Sequence, residues 1–157
     1  MFSKTAEYAL RATIYIAQKG HADHKLGIEE ISRAIDSPTS FTAKILQLLT
    51  RNQRIISSTR GPSGGFYMKD AARGLSIRTI LETIGEEEIF TGCVMGLKLC
   101  SETHPCPMHT RYKPIKEQLI KLFETMTIQQ LVRNIEAGEA SIGNRKKPVS
   151  KALGLKK

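Results

Sequence analysis

Three cysteines, Cys93, Cys100 and Cys106, are the only ones in the chain, and six and five residues separate them. They fall in a Gly- and Pro-rich stretch with no helical or strand period. An odd count would leave one thiol over in any disulfide scheme, so a disulfide framework is not expected. Three soft thiolates held close by such a loop suit iron–sulfur chemistry or zinc. Structural zinc usually shows tight C-x2–4-C pairs, and none occurs here. The longer gaps suit an object larger than one ion. Three cysteines leave one ligand to find. His109, with two residues between it and Cys106, is the local candidate. His104 precedes Pro105, where the backbone is restricted, and Glu7 is a distant candidate on another element.

The cysteine stretch, residues 85–109, must be positioned by what flanks it. From about Thr110 a helical stripe of Ile115, Leu119, Leu122, Phe123 and Met126 returns, wide enough to pack on its own domain and on a symmetry mate. Pro114 is expected in its first turn or at a kink. Thr127 and Gln130 fit a capping box that opens a last short helix. Upstream, Phe2, Ala6, Ala9, Leu10, Thr13, Ile14 and Ala17 define a first helix that Gly20 ends. A short second helix carries Ile28, Ile31, Ala34 and Ile35. Ser37 is placed as a cap and Pro38 as the first residue of a third helix. Phe41, Ile45, Leu48 and Leu49 are expected inward, with Thr39, Ser40, Thr42, Lys44 and Gln47 on its other faces.

Residues 55–59 and 66–68 read as two strands joined by Arg60-Gly61-Pro62-Ser63-Gly64-Gly65, a turn rich in residues that allow positive φ and close backbone approach. Two helices joined by a tight turn and followed by a β-hairpin form a winged helix-turn-helix. The expected DNA-contacting set is Thr39, Ser40, Thr42, Lys44 and Gln47, with Arg60, Gly61, Ser63, Gly64 and Gly65 from the wing. A surface hairpin without a partner is the bland alternative. Ser76 is then expected to cap a fourth helix (Ile77, Ile80, Leu81, Ile84) that Gly85 terminates.

The fold class is therefore mainly α, a winged helix-turn-helix domain plus a long C-terminal dimerisation helix. Its expected parts are a DNA-binding domain over 1–84, the cysteine-bearing loop 85–109, the dimerisation and closing helices 110–135, and a basic, flexible tail 136–157. The 157 residues are 40% hydrophobic and 25% charged, with a formal net charge of +9. That composition supports one ordinary core and points to an anionic partner, double-stranded DNA first. Six basic against two acidic residues over 135–157 place +4 of the excess in the tail. No run approaches the ~20 apolar residues of a membrane span, and no signal peptide is visible, so a cytoplasmic location is expected. No phosphate-cradling glycine motif, zincin motif or Ser–His–Asp arrangement argues for an enzyme.

Tyr8-Ala9-Leu10-Arg11-Ala12, the Arg60-Gly61-Pro62-x-Gly64-Gly65-Phe66 wing and the triple cysteine ahead of a long helix together resemble the Rrf-two family of bacterial winged-helix regulators, over roughly residues 1–135. The resemblance implies a twofold homodimer on a palindromic operator, with residues 38–49 as recognition helix and the wing along the minor groove. It implies that Cys93, Cys100 and Cys106 hold an iron–sulfur cluster. His109 matches the fourth ligand of the 2Fe–2S branch, and Glu7 falls where a first-helix acidic residue of the partner subunit completes the 4Fe–4S branch. Ala43 stands where one branch has an operator-discriminating glutamate, so base preference is not transferable. Lys4 and Arg11 are further candidates for phosphate contact. The expected function is a dimeric sequence-specific repressor responding to iron–sulfur status, redox or nitric oxide. The alternatives are a zinc or thiol redox switch on the same scaffold, and a basic RNA- or protein-binding adaptor with structural cysteines.

Overall fold

The computed structural model describes residues 2–143; Met1 and residues 144–157, which hold every basic residue of the expected tail, lie outside the described residues. Helix α1 (Lys4–Lys19) opens where the Ser3 hydroxyl accepts the Ala6 amide at 3.0 Å, satisfying one of the free amides of a helix start. Its alanines make it the central strut. Ala6, Ala9, Ala12 and Ala17 are at most 1% exposed, and their small side chains let α1 pack on the helices around it. Arg73, from a 3-10 turn over Asp70–Gly74, donates to the Ala17 carbonyl and closes its C-terminal end.

Helix α2 (Ile28–Ala34) and helix α3 (Thr39–Thr50) are joined by a turn in which Asp36 takes φ 53°, a conformation Asp tolerates better than most residues. Two expectations fail at the start of α3. Pro38 is the N-cap residue and not the first helical one, and Ser37 makes no side-chain cap. The Pro38 carbonyl instead accepts the Phe41 and Thr42 amides and the Thr42 hydroxyl, the last at 3.1 Å. The buried stripe is Thr42, Ile45, Leu46 and Leu49, with Phe41 and Leu48 only half-buried. Relative to the expected face, α3 is rotated by about one position.

The wing consists of β1 (Ser57–Thr59) and β2 (Gly65–Tyr67), antiparallel with Ser57 opposite Tyr67, Ser58 opposite Phe66 and Thr59 opposite Gly65. It is shorter than expected because Ile55 and Ile56, at most 1% exposed, enter the core ahead of the ladder. Leu26 exchanges both backbone hydrogen bonds with Phe66, at 2.8 Å each, and covers the inner edge of β2.

Helix α4 (Ile77–Thr83) has Ser76 at its N-cap, but the hydroxyl meets the Thr79 side chain and caps no amide, contrary to expectation. The Ile77 amide is satisfied by the Met126 carbonyl, and Ile128 returns a bond to Leu75. That exchange ties the start of α4 to the start of the closing helix α7 (Ile128–Glu136), which carries the expected Thr127–Gln130 capping box. Between them lie a four-residue helix α5 (Glu88–Thr91), the cysteine loop, and the long helix α6 (His109–Thr125). Pro114 stands in the second turn of α6, not the first. Phe123 is the one buried side chain of α6, stacked on Phe2 and set edge-on to Phe90 of α5. Among the described residues no helix is long and apolar enough to cross a membrane.

Candidate metal centre

The cysteine loop is delivered by α5 and received by α6. Gly92 ends α5 with its amide on the Glu88 carbonyl at 2.6 Å. A Cβ there would lie 2.8 Å from that oxygen, so the close approach requires glycine. Lys116, from α6, reaches back to the Thr91 and Gly92 carbonyls at 3.3 and 3.2 Å, pinning the chain just before Cys93. The loop then turns through Gly96 at φ 71°. It re-enters α6 at Cys106, whose carbonyl accepts the His109 amide at 3.0 Å.

These constraints bring the Cys93, Cys100 and Cys106 sulfurs within 4.8 Å of one another. His109 joins them: its Nδ1 lies 3.3 Å from Cys100 Sγ. Its Nε2 is buried without a hydrogen-bond partner, with Glu102 Oε1 at 3.6 Å. Glu102 is held by a close ion pair to Lys113, which keeps its carboxyl below the usual range. The Leu97 backbone amide foremost, with that of Met95, brings the Cys93 thiol down to about 7. The Cys106 backbone amide favours the Cys100 thiolate, but partial burial and the neighbouring Cys93 and Cys106 sulfurs outweigh it, so that thiol is raised. Cys93 thus ionises more readily near neutral pH than Cys100.

The donor set fits a thiophilic metal group. Three sulfurs and an imidazole nitrogen converge on a cavity of about 280 Å³ that Cys93, Cys100, Cys106 and His109 line together. Glu7 does not line that cavity; its carboxylate pairs with Lys4 at 2.7 Å, which also lowers its pKa. His104 is exposed and turned to Thr103.

Of the expected DNA-contacting set, Thr39, Ser40, Lys44 and Gln47 are exposed on α3. Ser40, Lys44 and Gln47 follow i, i+4, i+7 and so share one stripe. Thr42 does not belong with them: it is fully buried and its hydroxyl is spent on Pro38. Arg60, Gly61 and Ser63 are exposed at the wing tip, with Gly64 and Gly65 half-buried. Arg11 is engaged internally, donating to the Ile35 carbonyl at 3.3 Å and lying over the Tyr8 ring. Sequence reasoning passed over Arg51 and Arg54, both exposed just beyond α3; two arginines in a polar run after a candidate recognition helix were the available signal. It also passed over Lys113 and Lys116, whose spacing from His109 places all three on one face of α6.

A family model described as "Iron-dependent Transcriptional regulator" (Rrf2) matches residues 2–134. An HTH-type transcriptional regulator of Aquifex aeolicus is 32% identical over 138 residues, covering 87% of this chain and 93% of its own length. The HTH-type transcriptional regulator IscR of Erwinia tasmaniensis is 24% identical over 129 residues, covering 82% of this chain and 76% of its own. The solved structure of T. potens IscR superposes with a TM-score of 0.66 at 13% identity, covering 90% of this chain and 92% of its own. Because the family match runs unbroken through wing, cysteine loop and long helix, the chain belongs to the Rrf2 family of transcriptional regulators and is not an enzyme.

Proposed function

We propose that this chain is a dimeric, cytoplasmic transcriptional repressor whose affinity for a palindromic operator is set by an iron–sulfur cluster on Cys93, Cys100, Cys106 and His109. The observation that carries the reading is the convergence of three sulfurs within 4.8 Å, with the His109 imidazole beside them, in a chain of an iron-dependent regulator family. Such a cluster, 2Fe–2S with His109 or 4Fe–4S with Glu7 of a second copy as fourth ligand, supplies when bound a centre sensitive to redox state and oxidants. The chain's own residues carry the response. Lys116 fixes the loop's entry and Lys113 fixes Glu102, so order in residues 92–109 is coupled to the position of α6.

An adjoining face of α6 supports the dimer. Ile115 and Leu122, 60% and 47% exposed, lie seven residues apart on one stripe with half-buried Leu119 between them, an apolar seam suited to a second copy. A twofold pair would set Ser40, Lys44 and Gln47 of each copy into major grooves about 34–36 Å apart, with Thr39 beside them. Arg60 and the wing glycines would lie on phosphates or the minor groove. A coupling of only ~1–3 kcal/mol between loop order and DNA binding gives a 5–150-fold response.

The compactness of the site favours a second reading, a single ion such as zinc. A tetrahedral ion with ~2.3 Å metal–sulfur bonds sets its sulfurs ~3.8 Å apart, close to the arrangement here. Anaerobic reconstitution with ferrous iron and sulfide, followed by absorption spectra and iron, sulfide and zinc analysis, separates the two. Visible absorption with matching iron and sulfide is expected; a colourless protein that retains zinc would transfer the proposal to the ion. Footprinting on genomic fragments tests the operator, and failure to protect any specific sequence would sink the DNA reading.

A further inference from the structure

The environment of His109 goes one step beyond its place among the ligands. Its ring stands between two groups. Nδ1 faces Cys100 Sγ at 3.3 Å, while Nε2 is buried, has no hydrogen-bond partner, and points toward Glu102 Oε1 at 3.6 Å. A neutral imidazole carries its proton on one nitrogen only. With the proton on Nδ1, the buried Nε2 lone pair would face a carboxylate, two electron-rich groups at close range with no donor between them. With the proton on Nε2, that N–H has an acceptor and the Nδ1 lone pair is aimed at the sulfurs. Glu102 itself does not float: Lys113, one turn along α6 from His109, holds the same Oε1 in a close ion pair. Carboxylate, imidazole and lysine are therefore assembled on and against one helix face, and a shift of a few tenths of an ångström closes the Glu102–His109 hydrogen bond.

We infer that Glu102 is the positioning residue of the metal centre, fixing His109 as the Nε2–H tautomer so that Nδ1 is the ligating atom, with Lys113 holding the carboxylate in place. The assignment rests on the metal reading above and adds what that reading does not specify: which nitrogen binds, and what selects it. The Glu102 carboxylate faces His109 and Lys113, not a sulfur, and its action runs through the imidazole. Outer groups of this kind commonly change metal affinity 10–100-fold when removed. Glu102 is exposed in a loop, so its truncation is compatible with the fold.

The experiment uses the full chain, reduced and metal-free, with 15N-labelled histidine. Long-range 1H–15N correlation spectra distinguish the two tautomers directly. The unsubstituted chain is expected to show His109 as Nε2–H, and Glu102→Ala to shift it toward a mixture. Cobalt(II) titration, read from thiolate-to-metal absorption, then gives affinities for the unsubstituted chain, Glu102→Ala, His109→Ala and the double variant. Glu102→Ala should weaken cobalt binding about 10–100-fold in the His109 background and have no effect once His109 is gone. An unchanged tautomer in Glu102→Ala, or an equal loss in both backgrounds, overturns the assignment while leaving the metal centre standing. Absence of cobalt–thiolate absorption in the unsubstituted chain overturns the metal reading and this role with it.

Discussion

The depressed Cys93 thiol makes a prediction with a distinctive shape. Its pKa falls from the ordinary 9.0 to about 7 because the backbone amides at Leu97 and Met95 point at the sulfur. At pH 7 an ordinary thiol of that pKa is ~1% ionised and Cys93 ~50%, a gain of about 50-fold in thiolate. The gain is partly cancelled, since a thiolate two units less basic is intrinsically ~6–10-fold less nucleophilic at a Brønsted slope of ~0.4–0.5. Cys93 in the metal-free chain should therefore alkylate ~5–8-fold faster than an unshifted thiol at pH 7 and ~6–10-fold slower once both are fully ionised, with curves crossing near pH ~8. The assay is a short iodoacetamide pulse on the reduced, metal-free chain across pH 5.5–9.5, quantified by peptide mass spectrometry at each cysteine. Cys100, whose thiol is raised, should keep gaining rate to the top of that range. Unfolding in urea should return Cys93 to ordinary behaviour, because the amide donors belong to the folded turn. A Cys93 rate that still climbs tenfold per unit through pH 8 would mean that the loop amides do not stabilise the thiolate. Because folding lowers this pKa, the ionised sulfur favours the folded loop. That contribution is present in full above the unfolded thiol's pKa and is lost as pH falls through about 7.

Phe123→Ala should cost about 3–5 kcal/mol, the usual loss for a buried Phe, because this ring is the buried anchor of α6 between Phe2 and Phe90. Thermal melting should fall by roughly 6–20 °C for a domain of this size, and a urea-derived loss below about 1 kcal/mol would show that α6 is held otherwise. Gly64→Ala should open the wing and weaken DNA binding without unfolding the helices, since a Cβ would sit 2.3 Å from the Thr59 carbonyl oxygen and 2.8 Å from the Arg60 carbonyl carbon. Unchanged amide resonances over residues 57–67 in that variant would contradict the geometry.

What the sequence made legible was what local pattern and spacing control. The order of helices and wing followed from periodicity and turn chemistry, and the capping box at Thr127 from a four-residue motif. The errors have physical causes. On α3 the sets 41/45/48/49 and 42/45/46/49 are both helical faces, and the large apolar Phe41 drew the reading to the first. The structure buries Thr42 because its hydroxyl can be satisfied by the preceding turn's carbonyl, so its polarity was no guide to exposure. Ile55 and Ile56 look like the start of a strand by β-propensity, yet they are core plugs that leave the ladder to begin at Ser57. In the site, the cysteines and His109 were legible because their chemistry is rare and their spacing short. Glu102 was not. Its partnership with His109 and Lys113 depends on how an aperiodic loop folds back on α6, which no residue pattern encodes.

On the proposed function, contacts along α6 give a loop with no regular structure a route to the winged-helix domain. Toward the inside, His109, Lys113, Lys116 and Phe123 meet the cysteine loop and α5 in succession along the helix. Just beyond, Glu124 is joined to Arg78 of α4, and the Arg78 guanidinium lies over the Phe90 ring at 5.0 Å. Phe90 is three residues ahead of Cys93. The strip of chain that delivers the first cysteine, the helix with the apolar seam, and the helix that ties back to α1 and α7 therefore share one set of contacts. Lys116 and the Glu102–Lys113 pair hold the loop to α6, and the Glu124–Arg78 pair holds α6 to α4, so both attachments meet on one helix. In the proposed dimer, order at the cysteines would bear through α6 on the relative placement of the two recognition helices.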